Sequence, residues 1–169
     1  VLNTAAISII ITSILFASLF SIFKFNISEF IGISSGYLSI VVWILVIDVL
    51  TVIPFAYLRL KGSAFKYSTV KIINILVYLS LNIFLLIYLK GLTNDYKILQ
   101  SIYIENFEVS YIFISNLIAS IVSLLLLLPF YFEINYRANI KLLKRMLAYG
   151  FPILISGLAF SINETFDRI

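Results

Sequence analysis

Five long apolar stretches are the feature that most constrains how this chain folds. They cover residues 1–23, 36–58, 72–89, 109–132 and 146–168, the last becoming polar only near its end. A helix needs about 20 apolar residues to cross roughly 30 Å of hydrocarbon. The alternation of apolar and polar residues typical of transmembrane strands is missing. These stretches therefore predict an all-α, polytopic membrane helix bundle with five transmembrane helices.

The composition excludes water-soluble classes of protein. Of 169 residues, 62% are hydrophobic and 12% are charged, whereas soluble domains carry about 25% charged residues. In water, such a chain would expose large apolar patches and aggregate. The sequence has no cysteine and no histidine, which removes thiolate metal sites and the commonest general base. We therefore expect no nucleic-acid partner, no metal, no cofactor and no catalytic residues.

The loops between the spans predict the orientation. Basic residues number one in 24–35, four in 59–71, two in 90–108 and four in 133–145. These numbers alternate as the positive-inside rule requires. The loops 59–71 and 133–145 are thus predicted to be cytoplasmic, and the first span to run outward. Because the chain begins at Val1 and ends within a periodic apolar stretch, we expect it to be an internal segment of a longer membrane protein.

Asp48 is the most informative charged position. It lies about halfway along the second span, where a carboxylate is costly and usually faces a bundle interior or a water-filled cavity. Arg59 follows eleven residues later, so it shares a helix face with Asp48, Thr51 and Phe55 but lies about 16 Å away along the axis. Two interpretations stay open. The pair lines a hydrated substrate path, or Asp48 is a structural aspartate bonded to another helix while Arg59 anchors the helix at the interface.

Pro54 lies between these two residues. It leaves the carbonyl of Leu50 without its usual helical donor and predicts a kink. Such a kink serves as a hinge or as an ordinary packing feature of membrane helices.

The third span carries a polar stripe, in which Lys71, Asn74, Tyr78 and Asn82 recur at helical spacing. The stripe lines a cavity or supplies hydrogen bonds to a neighbouring helix. Asn82 is its candidate for a substrate or ion path. The serines of the fourth span, among them Ser120 and Ser123, are assigned to small-residue packing.

The last segment combines a predicted break with a charged cluster. Residues 136–147 form a short amphipathic helix at the membrane surface or an ordinary basic loop. Gly150 and Pro152 then mark a point where a new helix begins or bends, and both are hinge candidates. Beyond Ile162 comes a cluster that either contacts a substrate or pairs at the outer interface. Its three charged members are Glu164, Asp167 and Arg168.

Two stretches carry a resemblance to a known family: PFAYLRLKGSAFKYSTVKIINILV at 54–77 and LLKRMLAYGFPILISGLAFSINETFDRI at 142–169. Together they resemble the polysaccharide biosynthesis proteins and O-antigen-type lipid-linked oligosaccharide flippases of the multidrug/oligosaccharidyl-lipid/polysaccharide exporter superfamily. In order and orientation, the five spans resemble helices three to seven of that family's two-lobed bundle, which is of the MATE type.

The resemblance implies a flippase rather than an enzyme. Its substrate would be an undecaprenyl-diphosphate-linked oligosaccharide, moved by alternating access across the bacterial plasma (inner) membrane for surface polysaccharide such as that of lipopolysaccharide. Membrane lipids and a coupling H⁺ or Na⁺ are the other expected partners. The family pattern carries over Arg59, Asp167 and Arg168, whereas Asp48 and Glu164 depend on the cost of intramembrane charge alone.

Three alternatives remain at this point. A cation-coupled multidrug exporter of the same superfamily would share the architecture. A membrane-embedded polysaccharide polymerase or acyltransferase would need catalytic groups that these residues do not supply. A purely structural membrane subunit would need no polar path at all.

Overall fold

The computed structural model describes residues 1–88, 108–134 and 138–166, and this part of the chain is helical without any strand. The helices are α1 (Leu2–Ile31), α2 (Ser35–Leu60), α3 (Ala64–Ile83, continued by a π-helical segment, Phe84–Tyr88), α4 (Glu108–Phe132) and α5 (Ile140–Phe166). All five are long and apolar enough to cross a membrane. The prediction of an all-α, polytopic membrane bundle is confirmed, and the chain fits a multi-pass membrane protein.

The described residues divide into two compact units. One comprises those of Val1–Ser8 and Asn135–Ile169, and the other comprises those of Ile9–Ile134. In the second unit, α4 packs against both α2 and α3. Phe55 of α2, Val70 of α3 and Leu127 of α4 meet in a small buried core. This three-helix arrangement positions the polar groups of the cavity described below.

The connection between α2 and α3 is a tight turn. α2 ends in a Schellman motif, in which the N–H of Gly62 donates to the carbonyl of Arg59 (3.1 Å) and the N–H of Ser63 to that of Leu58 (2.9 Å). Gly62 has a φ of 68°, in the left-handed region that disfavours a side chain. The helices extend on both sides, so the predicted loop 59–71 contains only three residues outside helices.

α5 also differs from its sequence-based prediction. It runs from Ile140 to Phe166 without interruption, so no new helix begins at Gly150 or Pro152. The side-chain Oδ1 of Asn139 accepts a hydrogen bond from the N–H of Leu142 (3.1 Å), which caps the start of the helix. The basic segment and the fifth span therefore belong to one helix, because its start is set by the cap and not by where hydropathy rises.

Replacing Gly62 by alanine should destabilise the protein. A Cβ at this position meets none of the described residues within 4 Å, so the cost is conformational and amounts to about 1–2 kcal/mol. We expect a lower thermal unfolding midpoint in detergent for G62A. Gly36→Ala is the matched control, since Gly36 lacks a positive φ and its added Cβ would meet only ordinary contacts. Equal midpoints for the two variants would contradict the assigned turn.

Candidate functional site

A polar cavity of ≈ 360 Å³ lies among α2, α3 and α4. All three helices contribute to its wall, and most of the contributing side chains are polar or charged. The lining residues are Asp48, Thr51, Val52, Phe55, Arg59, Tyr67, Lys71, Asn74, Asn116, Ser120 and Ser123. The helix face predicted to carry Asp48, Thr51, Phe55 and Arg59 therefore borders a hollow in the structure.

Asp48 combines features of both sequence-based interpretations. Its Oδ1 accepts a hydrogen bond from the Ser120 hydroxyl of α4 at 2.6 Å, so the carboxylate is bonded to another helix. Its side chain is nevertheless exposed and borders the cavity. The Thr51 hydroxyl donates to the Asp48 backbone carbonyl (2.7 Å) and so leaves the carboxylate free for other donors. Asp48 is thus anchored through one oxygen while the group as a whole remains accessible from the cavity.

Two cations lie against aromatic rings of the same wall. The Arg59 guanidinium carbon is 5.2 Å from the Tyr67 ring centroid, and the Lys71 ammonium is 4.5 Å from the Phe55 centroid. The two rings contact each other edge to face, with centroids 5.2 Å apart. Each cation–π contact contributes about 0.5–2 kcal/mol and leaves the donors of the cation available. The part of the wall formed by described residues therefore carries two positive charges and one negative charge.

Neutral donors and acceptors complete the cavity. The Asn74 side-chain amide donates to the Ser123 hydroxyl at 2.9 Å, which joins α3 to α4. Asn116, Ser120 and Ser123 recur on α4 at intervals of four and three residues, so they share one helix face. Their polar atoms can exchange hydrogen bonds with a hydroxyl-rich solute.

The polar stripe of α3 is divided by the structure. Lys71 and Asn74 line the cavity, whereas Tyr78 and Asn82 do not. The Asn82 amide donates to the Tyr78 carbonyl in its own helix (2.9 Å), and its Oδ1 is buried without a hydrogen-bond partner among the described residues. Asn82 is therefore not part of this site, although it remains a polar group with unused acceptor capacity.

The carbonyl freed by Pro54 has found a partner in α4. Pro54 is fully buried, and the hydroxyl of Tyr131 donates a hydrogen bond to the carbonyl of Leu50. This bond replaces the helical one that the proline cannot form. It also ties α2 to α4 immediately beside the cavity.

The remaining candidates lie elsewhere or outside the described residues. Glu164 is exposed in α5, within the other compact unit. Asp167 and Arg168 fall outside the described part of the chain. Gly150 and Pro152 lie inside α5, and their role as hinges stays a prediction.

Sequence reasoning missed several members of the cavity wall. It assigned Ser120 and Ser123 to packing and left out Asn116 and Tyr67, and it treated Lys71 only as part of a stripe. The helical spacing of Asn116, Ser120 and Ser123 was a usable signal. No sequence pattern marked Tyr131 as the partner of Leu50, because this pairing joins residues 81 positions apart.

No protein-family model, curated protein or solved structure matches this chain. Its function must therefore be inferred from the chemistry of the cavity.

Tyr131→Phe should destabilise the protein by about 1–3 kcal/mol, because the part-buried Leu50 carbonyl loses its donor. The loss should shrink in a Pro54→Ala background, since an alanine N–H at position 54 can donate to that carbonyl. Thermal unfolding of both single variants and the double variant measures this coupling. Tyr149→Phe is the control for loss of an exposed phenol hydroxyl. Strictly additive effects would show that Tyr131 does not compensate for the proline.

Proposed function

We propose that this chain is part of a transporter that moves a lipid-linked oligosaccharide diphosphate across the bacterial plasma membrane by alternating access. The observation that carries the proposal is the cavity itself. It brings two cations, a carboxylate and several hydroxyl and amide groups together among helices long enough to span a bilayer.

The cost of charge inside a membrane supports a transport role. Ionisable side chains in spanning helices are rare and usually face partners or water-filled cavities. An ion-pair network that serves stability alone would place each cation against a carboxylate. Among the described residues, Asp48 instead bonds to a serine, and both cations lie on aromatic rings. The charges are held in place without neutralising one another, which suits a wall that binds a solute.

The charges and donors favour an anionic, hydroxyl-rich solute. Guanidinium and ammonium groups form charge-assisted hydrogen bonds with phosphate oxygens, and an arginine can bind them in a bidentate manner. Sugar hydroxyls both donate and accept, which matches the asparagine, serine and threonine side chains of the wall. The lipid tail of such a substrate would stay in the bilayer while its head occupies the cavity.

The predicted membrane topology indicates from which side the substrate would enter the cavity. Arg59 lies near the end of α2 that leads into the turn with α3, and Lys71 lies within the first turns of α3. The positive-inside rule assigns this end to the cytoplasm. In the proposed cycle, the diphosphate is loaded at Arg59 and Lys71 from the cytoplasmic side. Asp48 lies deeper along α2, where it binds sugar hydroxyls or a coupling H⁺ or Na⁺.

The same geometry disfavours a cationic drug as the substrate. Aromatic rings and a buried acid are typical recognition groups for organic cations. Here the Phe55 and Tyr67 rings are already in contact with Lys71 and Arg59. The positive charges of these two residues would repel a cationic ligand. An anionic substrate finds those same groups attractive.

Removing the two cations should abolish transport without unfolding the protein. In the full protein, R59A and K71A should each weaken substrate binding by about 10–100-fold, because each variant loses a charge-assisted hydrogen bond of about 1.5–3 kcal/mol. The variants are tested in cells that lack the native gene. Surface polysaccharide, measured against protein level in the membrane, should fall accordingly. Lys24→Ala is the matched control, because Lys24 is a basic residue that does not line the cavity. Normal polysaccharide in the R59A/K71A double variant would refute the proposed function.

Asp48→Asn separates a functional charge from a structural hydrogen bond. The asparagine keeps an oxygen that accepts from Ser120 but loses the negative charge. We expect an unchanged thermal midpoint and a loss of polysaccharide export for D48N. Ser120→Ala provides the reverse case, since it keeps the charge and removes the anchoring donor. Full export by D48N would assign Asp48 a structural role only.

A further inference from the structure

A second groove of ≈ 410 Å³ lies on the same three helices, and none of its described lining residues belongs to the polar cavity. It borders the turn between α2 and α3 and the last turns of α4. Most of its wall is apolar, with contributions from Leu58, Ile73, Leu126 and Phe130. Among the described residues, its charged members are Lys61, Lys66 and Glu133.

Charged and apolar residues are separated along this groove. Lys61 belongs to the turn after α2, Lys66 to the first turn of α3, and Glu133 directly follows α4. These three positions meet at one end, because α4 runs parallel to α2. This direction follows from two contacts, Asp48 with Ser120 and Tyr57 with Phe130 (ring centroids 5.0 Å apart), which advance together along both helices. Ile73 lies later in α3 than Lys66, and Leu126 lies earlier in α4 than Glu133, so both are displaced from this end toward the membrane interior. The groove is therefore polar at one end and apolar along its length.

We infer that this groove binds a membrane phospholipid with an anionic, hydroxyl-bearing headgroup, of the phosphatidylglycerol type. The phosphate lies between Lys61 and Lys66, and an acyl chain follows the apolar wall. Glu133 accepts hydrogen bonds from the hydroxyls of the headgroup. This site is distinct from the polar cavity and does not depend on the proposed transport function.

Charge complementarity selects the lipid class. Two ammonium groups and one carboxylate leave the polar end of the groove net positive, which matches a phosphodiester without an attached amine. Basic pockets between helix ends at the cytoplasmic side are a recognised form of anionic lipid site. Lys61 is already held at the wall, where its Nζ donates to the Tyr57 hydroxyl (3.4 Å) and lies 5.4 Å from the centre of that ring. This placement limits the conformational entropy lost when a phosphate binds.

Native mass spectrometry of the full protein with defined lipids tests the inference. We expect phosphatidylglycerol to stay bound at detergent conditions that remove phosphatidylcholine and phosphatidylethanolamine. The K61A/K66A variant should bind it about 30-fold more weakly, since each basic residue near an anionic membrane surface contributes about fivefold in affinity. Leu126→Trp should also reduce the retention of phosphatidylglycerol, because the larger side chain fills the apolar part of the groove while both lysines stay in place.

The matched control is K141A/K144A, which removes two exposed lysines of α5 that do not line the groove. Near-normal retention in this control supports a specific site. Equal losses in both double variants would mean that lipid is held by general surface charge, and would overturn the inference. Equal retention of all three lipids would also overturn the inference. Full displacement of phosphatidylglycerol by glycerol phosphate alone would overturn it as well. A dimer that L126W dissociates would identify a second copy of the chain as the occupant instead.

Discussion

The absence of water from the bilayer interior is the constraint on which this structure depends. In hydrocarbon, every backbone polar group must find its partner within the protein, and an unpaired polar side chain is costly. The helix α4 meets this need for its two neighbours. Its Tyr131 satisfies the carbonyl that Pro54 leaves free in α2, its Ser120 binds Asp48, and its Ser123 accepts from Asn74 of α3. These bonds fix the register of the three helices and thereby shape the cavity between them.

The same constraint explains how the cavity holds its charges. A cation in a spanning segment is stabilised by a carboxylate, by water or by the face of an aromatic ring. Phe55 and Tyr67 provide ring faces for Lys71 and Arg59, so neither cation depends on Asp48. The wall keeps both signs of charge available to a solute. This arrangement differs from an ion pair that serves stability alone, in which the partners would satisfy each other.

Most of the fold follows from local properties of the sequence, whereas helix ends do not. Five spans were predictable, because the length and apolarity of a segment decide whether it crosses a membrane. The limits of the α2–α3 connection and of α5 were not, since Gly62 and Asn139 set them through backbone hydrogen bonds that hydropathy does not register. The shared face of Asp48 and Arg59 was predictable from helix geometry. The place of Lys71 in the cavity wall was not predictable, because it depends on α3 packing against the helix face of α2 that carries Phe55.

By itself, the sequence determined that the chain is a helical membrane protein, that Asp48 and Arg59 share a helix face, and that the Leu50 carbonyl needs another donor. Each of these follows from the periodicity and covalent chemistry of one segment. Only the tertiary structure decided which groups meet across helices: Tyr131 with Leu50, Ser120 with Asp48, and the two cations with their rings. It also separated Asn82 from the cavity and placed Lys61 and Lys66 beside an apolar groove. Such pairings depend on how the helices pack, and no single segment contains that information.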